Sequence, residues 1–179
     1  MIILDTETTG LPNPSAAGLD AQPHIIEFAA VKVDARNMKI IDRIEFLCKP
    51  PIVLPKDVPK WSGITEAMLE GKPSFGSHFE ELAQFFLAES EGVAHNAAFD
   101  FALMEFEMTR ARKMGLFPWP MRRICTVEAT HHIKNHRIKL GDLYKMATGK
   151  EIQNAHRAMG DVESLYEIVC WMHKKGMPL

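Results

Sequence analysis

The sequence predicts an α/β fold: a mixed five-stranded sheet, three antiparallel strands first and then parallel ones, flanked by helices. Two observations carry this. Three β-rich runs come first, at residues 2–5, 25–33 and 40–48, and the turn-like Asp34-Ala35-Arg36-Asn37 between the last two suits an antiparallel meander. Beyond them, helical periodicity alternates with short apolar runs, the order of a sheet covered by helices. A length of 179 residues predicts one domain over 1–179 with a real core and little room for a second.

Taken in order, Ile2-Ile3-Leu4 is an apolar run that reaches Asp5, Glu7 and then Gly10, a buried strand with a polar edge. Pro12, Pro14, Pro23 and Gly18 make residues 11–23 a loop, and the prolines of 50–59 exclude regular structure there. Thr65 can N-cap a short helix over 66–70, and Ser74 or Ser77 a helix that runs to Leu87, with Phe79, Leu82, Ala83 and Phe86 on one face. A fourth strand is expected at 92–95 and a helix over 97–114, stopped by Gly115. A fifth strand follows near 124–126, with Thr126 as the cap of another helix. The last two helices are expected over 140–147, closed by Gly149, and over 157–174, closed by Gly176.

Composition narrows the function classes. With 21 Lys and Arg against 23 Asp and Glu, the formal charge is −2, too small a field to hold polyanions by bulk attraction, so any nucleic-acid binding has to be local. Apolar residues at 46% and charged residues at 25% argue against disorder and against membrane residence, and the longest apolar runs fall far short of the ~20 residues that span a bilayer. Residues 1–5 have no basic, long apolar signal segment. Cys48, Cys125 and Cys170 form no close pair, as expected of small apolar side chains in a reducing, cytoplasmic compartment.

The acids are patterned. Asp5 and Glu7 stand two apart on a strand and therefore share a face. Their mutual repulsion has to be offset, and a divalent cation is the usual means. Asp100 falls in the first turn of the helix that follows the fourth strand. Asp161 lies in register with Leu165, Ile168 and Met172, which puts a carboxylate on an apolar stripe, where unpaired burial costs several kcal/mol. His156, five residues before Asp161, is a suitable general base if that helix packs across the strand end.

Three strings of these residues resemble a known family. Asp5-Thr6-Glu7-Thr8-Thr9-Gly10, His95-Asn96-Ala97-Ala98-Phe99-Asp100 and Ala155-His156-Arg157-Ala158-Met159-Gly160-Asp161 look like the exonuclease motifs of the DEDDh (DnaQ-like) 3′-to-5′ exonucleases. That group includes the proofreading subunit of bacterial DNA polymerase III, RNase T and oligoribonuclease. Ile25-Ile26-Glu27-Phe28-Ala29-Ala30-Val31 and Gly63-Ile64-Thr65 look like its second strand and its turn.

The resemblance implies an RNase H-like fold and two Mg²⁺ or Mn²⁺ ions held by Asp5, Glu7, Asp100 and Asp161. His156 would take the proton from the attacking water, and nucleoside 5′-monophosphates would leave from the 3′ end of DNA or RNA. It makes Thr6 and Thr8 candidates for the terminal sugar, Ile64 and Thr65 for the terminal nucleotide, Phe99 for stacking and Asn96 for positioning Asp100. The expected partner is single-stranded or 3′-terminal nucleic acid. The resemblance also admits a DNA polymerase, although the chain ends at Leu179 without the family proofreader's extra docking segment, as a stand-alone enzyme or one joined through other surfaces would. The rival reading is a catalytically silent nucleic-acid- or polymerase-binding module of the same fold.

Residues 131–139 hold His131, His132, Lys134, His136, Arg137 and Lys139 and no acid. His132 and His136 have the i, i+4 spacing of a metal site on a helix. With no cysteine or carboxylate close by, a solvated or phosphate-contacting segment is the better reading. The runs Arg110-Ala111-Arg112-Lys113 and Arg122-Arg123 read as solvated surface, with strand guidance as the lesser alternative.

Overall fold

The structure is a computed structural model that describes residues 1–15, 18–152 and 157–179. Its five strands are β1 (Ile2–Thr8), β2 (Ile25–Asp34), β3 (Lys39–Leu47), β4 (Glu91–Ala94) and β5 (Arg122–Cys125), in the order β3-β2-β1-β4-β5. The first three pair antiparallel, and β4 and β5 join parallel, as the order of elements predicts.

Side-chain parity on β1 and β2 sorts the core into two layers. After the short helices α1 (Val58–Ser62) and α2 (Glu66–Leu69) come α3 (Phe79–Phe86) and α4 (Ala97–Arg110). Ile2, Leu4, Phe28 and Ala30 face one way and pack with Leu82 and Phe86 of α3 and with Phe101 and Met104 of α4. Ile3, Ala29, Val31 and Val33 face the other way and pack with Val162, Leu165 and Val169 of the C-terminal helix (Ala158–Lys174). Alternation along the strand dictates both sets.

Three departures from the sequence expectations have local causes. A helix (Val58–Ser62) occupies the end of the Pro-rich stretch, because Pro59 falls in its first turn, where no amide hydrogen is required. Helix α4 ends at Arg110 rather than near Gly115: Arg112 adopts a left-handed conformation and the Lys113 amide closes back on the Met108 carbonyl at 2.8 Å. Thr126 does not cap the short helix Thr126–Ala129 but begins it, its hydroxyl turned to His95.

The basic runs lie at the surface as the sequence suggests, with Arg112, Arg122 and Arg123 exposed, but several of their side chains are engaged. Arg110 pairs with Glu107 and donates to the carbonyls of Leu19, Gln22 and Pro23, pinning the loop that follows β1. Arg122 pairs with Glu91; Arg123 pairs with Glu105 and lies over the Phe101 and Trp119 rings.

Gly92 tests the α4 layer. A Cβ there would meet Phe101 Cζ at 2.6 Å and Pro120 Cγ at 2.9 Å, and Phe101 is fully buried. Gly92→Ala is expected to cost about 1–3 kcal/mol by overpacking, read as a fall in Tm of roughly 3–10 °C. An unchanged Tm would show that the Phe101 ring yields.

Candidate active site

The same parity places the acids. Asp5 and Glu7 continue the face that carries Ile3, so they point toward the C-terminal helix, whose first turn presents Asp161. One carboxylate oxygen from each of Asp5, Glu7 and Asp161 lies within 4.8 Å of the others. Thr6 faces the opposite layer and meets α4. Its amide and hydroxyl donate to Asp100 Oδ1 at 3.1 and 2.8 Å. Asp100 is thereby held against β1 from the other side, buried at 2% exposure.

Four acids about one strand end disfavour their own ionisation. Burial pushes the Asp5 carboxyl well above its ordinary value, and the charge of Asp100 adds more than those of Asp161, Glu7 and Glu27. Glu7 is pushed up to about 7 by burial, then by Asp161, Glu27 and Asp100, with Arg157 opposing. Asp100 reaches about 7 through burial, although its bonds from Thr6 favour the charged form. A site of carboxylate oxygens that resist carrying charge together is a site suited to a hard cation.

The other sequence candidates divide. Ile64 is fully buried, packed with Ile26, Leu54, Val58 and Leu69, so it backs the turn instead of offering a face to a nucleotide. The structure thus corrects the expectation of a wedge there. Thr65 is exposed, and its side chain makes no cap bond to the helix Glu66–Leu69. The hydroxyls of Thr6 and Thr8 are both engaged within the chain, Thr8 donating to the Gly10 carbonyl at 2.8 Å. Each hydroxyl thus spends its one hydrogen within the chain and keeps only acceptor capacity toward a sugar. Phe99 is half-buried against the α4 layer. Asn96, left-handed at φ 81°, precedes α4 and accepts a bond from Arg137 at 2.8 Å. His156 lies outside the described residues.

Two groups escaped the sequence reading. Glu27, paired with Glu7 across β1 and β2, has a side chain only 1% exposed. Arg157 Nη2 donates to its Oε1 at 2.5 Å and Nε to the same oxygen at 3.0 Å, while the Ala158 amide donates to Oε2 at 2.9 Å. The pair therefore ties the start of the C-terminal helix, one turn before Asp161, to the sheet. A lone acid inside Ile25-Ile26-Glu27-Phe28 was its signal, since a charge in a central strand needs a partner. The second is His95. Its Nε2–H donates to the Ile138 carbonyl at 3.0 Å and its Nδ1 accepts from the Thr126 hydroxyl at 2.9 Å. Burial lowers its pKa to about 4, so the ring is a neutral bracket and not an acid or base near pH 7.

Residues 2–169 match the family described as Exonuclease (RNase_T). The chain is 37% identical over 177 residues to a DNA polymerase III PolC-type of Halalkalibacterium halodurans, covering 97% of this chain but 11% of the polymerase. It is 31% identical over 169 residues to the DNA polymerase III subunit epsilon of Treponema pallidum, covering 94% of this chain and 74% of that one. Among solved structures, Exonuclease X in complex with 5′ overhanging duplex DNA superposes with a TM-score of 0.67 at 25% identity, covering 99% of this chain and 93% of that one. Among the described residues, no helix is long and apolar enough to cross a membrane.

Proposed function

The chain belongs to the RNase_T exonuclease family, and from that premise we propose that it is a 3′-to-5′ exonuclease which hydrolyses terminal phosphodiesters to nucleoside 5′-monophosphates with the help of divalent cations. The single observation that carries this reading is the convergence of Asp5, Glu7 and Asp161 from two elements on one point, with Asp100 held beside them. The donor set fits the ions: all four side chains offer carboxylate oxygen, and three of them sit where their own charge is disfavoured. Asp5, Glu7, Asp100 and Asp161 would hold two ions, Mg²⁺ or Mn²⁺. Bound there, such ions stabilise charge on the attacking and departing oxygens.

The chain's own groups do the rest. Thr6 fixes Asp100 by two bonds, so that carboxylate keeps its place without a change of rotamer. Arg157 neutralises Glu27, which would otherwise add a fifth negative charge to the cluster. His156, one residue before Arg157, is assigned the proton of the attacking water. The substrate is a nucleic-acid 3′ end, and a DNA polymerase is a fitting partner, since the curated relatives are DNA polymerase III chains or subunits.

The test is release of label from single-stranded DNA and RNA with Mg²⁺ or Mn²⁺. A 3′ label should leave as mononucleotide at once, and a 5′ label should shorten through a ladder. No release from either polymer would sink the proposal, and internal fragments would make the enzyme an endonuclease. His156→Ala should lower turnover by about 10²–10⁴-fold, the usual contribution of a general base. Mn²⁺ binding in a calorimetric titration should be nearly unchanged in that variant. Loss of metal binding as large as that of Asp5→Ala would contradict the role given to His156.

A further inference from the structure

Residues 131–139 are a basic run to which neither the fold nor the mechanism above assigns a role. His131, His132, Lys134, His136, Arg137 and Lys139 are all exposed. Arg43, Arg110, Arg122, Arg123 and Arg157 each pair with an acid, but among the described residues none of these six takes part in an ion pair. The helical metal face suggested by the His132 and His136 spacing does not form. The helix ends at Lys134, Asn135 turns left-handed, and His136 Nδ1–H donates to the Lys134 carbonyl at 2.9 Å.

The run is nevertheless tied to the segment that leads from β4 into the helix carrying Asp100. The neutral His95 ring holds the Ile138 carbonyl, and Arg137 Nη2 donates to Asn96 Oδ1. Asn96 opens the helix whose first turn carries Asp100. Arg137 is thus fastened to the residue four positions before Asp100, and among the described residues no acid forms an ion pair with it. A polyanion approaching four carboxylates meets like charge, and unpaired Lys and Arg beside them offset that repulsion.

We propose that the face formed by His131, His132, Lys134, His136, Arg137 and Lys139 binds the sugar-phosphate backbone of the single strand whose terminus reaches the carboxylates. The proposal rests on the exonuclease reading for what the strand is for. Its contacts are to phosphates, so they carry no base preference, as an enzyme that removes every nucleotide in turn requires. Those contacts have a salt signature, because each phosphate neutralised releases counterions.

Binding is read by fluorescence anisotropy of an oligothymidylate of about 12 nucleotides in EDTA, so turnover plays no part. The triple variant Lys134→Gln, Arg137→Gln, Lys139→Gln should weaken binding about tenfold or more and reduce the slope of log Kd against log salt by about 2. A control triple, Arg36→Gln, Lys39→Gln, Lys174→Gln, alters exposed and equally unpaired cations at the opposite end of the sheet. It should stay within about twofold of wild type. Lys134→Arg, Arg137→Lys, Lys139→Arg should bind as wild type does, and all variants should keep their Tm. Equal weakening by the two Gln triples, weakening by neither, or a wild type that does not bind would each overturn the proposal. Failure of the exonuclease reading shows separately, as absence of mononucleotide release.

Discussion

Asp5→Asn is expected to slow mononucleotide release by about 10³-fold, while its metal-free form unfolds at a higher temperature than wild type at pH 8. The activity loss follows from removing a central member of the carboxylate group, a change of several kcal/mol in transition-state charge stabilisation. The stability gain follows from the raised carboxyls. Asp5, Glu7 and Asp100 all have folded pKa values above their ordinary range, Glu7 and Asp100 at about 7. Between about pH 4 and 7 the folded chain therefore holds more protons than the unfolded chain, so metal-free stability falls as pH rises through that window. Calorimetry in EDTA should show wild type losing Tm from pH 4 to 8 and Asp5→Asn losing less. The variant's advantage should be about 3–8 °C at pH 8 and absent at pH 4. Divalent cation should close the gap by stabilising wild type alone. A variant less stable than wild type at pH 8 would mean that the carboxyls are not in electrostatic conflict.

The second large effect is asymmetric. Arg157→Ala strips the partner from Glu27, whose side chain is 1% exposed and cannot turn to water, and should cost about 2–3 kcal/mol. That is below the ~3–5 kcal/mol of a pair buried on both sides, because Arg157 keeps 41% of its side chain in solvent. Glu27→Gln, by contrast, releases an arginine that can solvate itself and leaves an amide oxygen for the Ala158 N–H. Its cost should be only about 1 kcal/mol. Urea titrations of the two variants measure the difference directly. Equal losses would show that the pair acts through its geometry and not through the buried charge. Both variants should release mononucleotides at least about tenfold more slowly, since the pair sets the helix start that aims Asp161.

Much of this was legible in the chain itself. The apolar runs Ile25-Ile26 and Phe28-Ala29-Ala30-Val31 mark strands because they have to be buried, and Gly149 marks a helix end because glycine takes φ 76° without strain. The shared face of Asp5 and Glu7 followed from the strand period. What misled was local and reversible. Pro59 looked like a breaker but falls in a first turn, and Arg112 ended a helix with no glycine to signal it. Glu27 fits a strand pattern, and the informative fact is its isolation among apolar residues.

The sequence by itself determined which residues alternate, which stripe is apolar and which acids recur in the order of the family's motifs, because those properties belong to spacing along one element. Only the tertiary structure decided that Asp161 joins Asp5 and Glu7 while Asp100 is held by Thr6 from the other face of the strand. It alone sank Ile64 into the core, gave Glu27 an arginine 130 positions away and left residues 131–139 as unpaired charge beside Asn96. Those outcomes depend on which faces of distant elements meet. A carboxylate's pairing, burial and proton affinity are set by groups brought near through space, and spacing along the chain does not encode them.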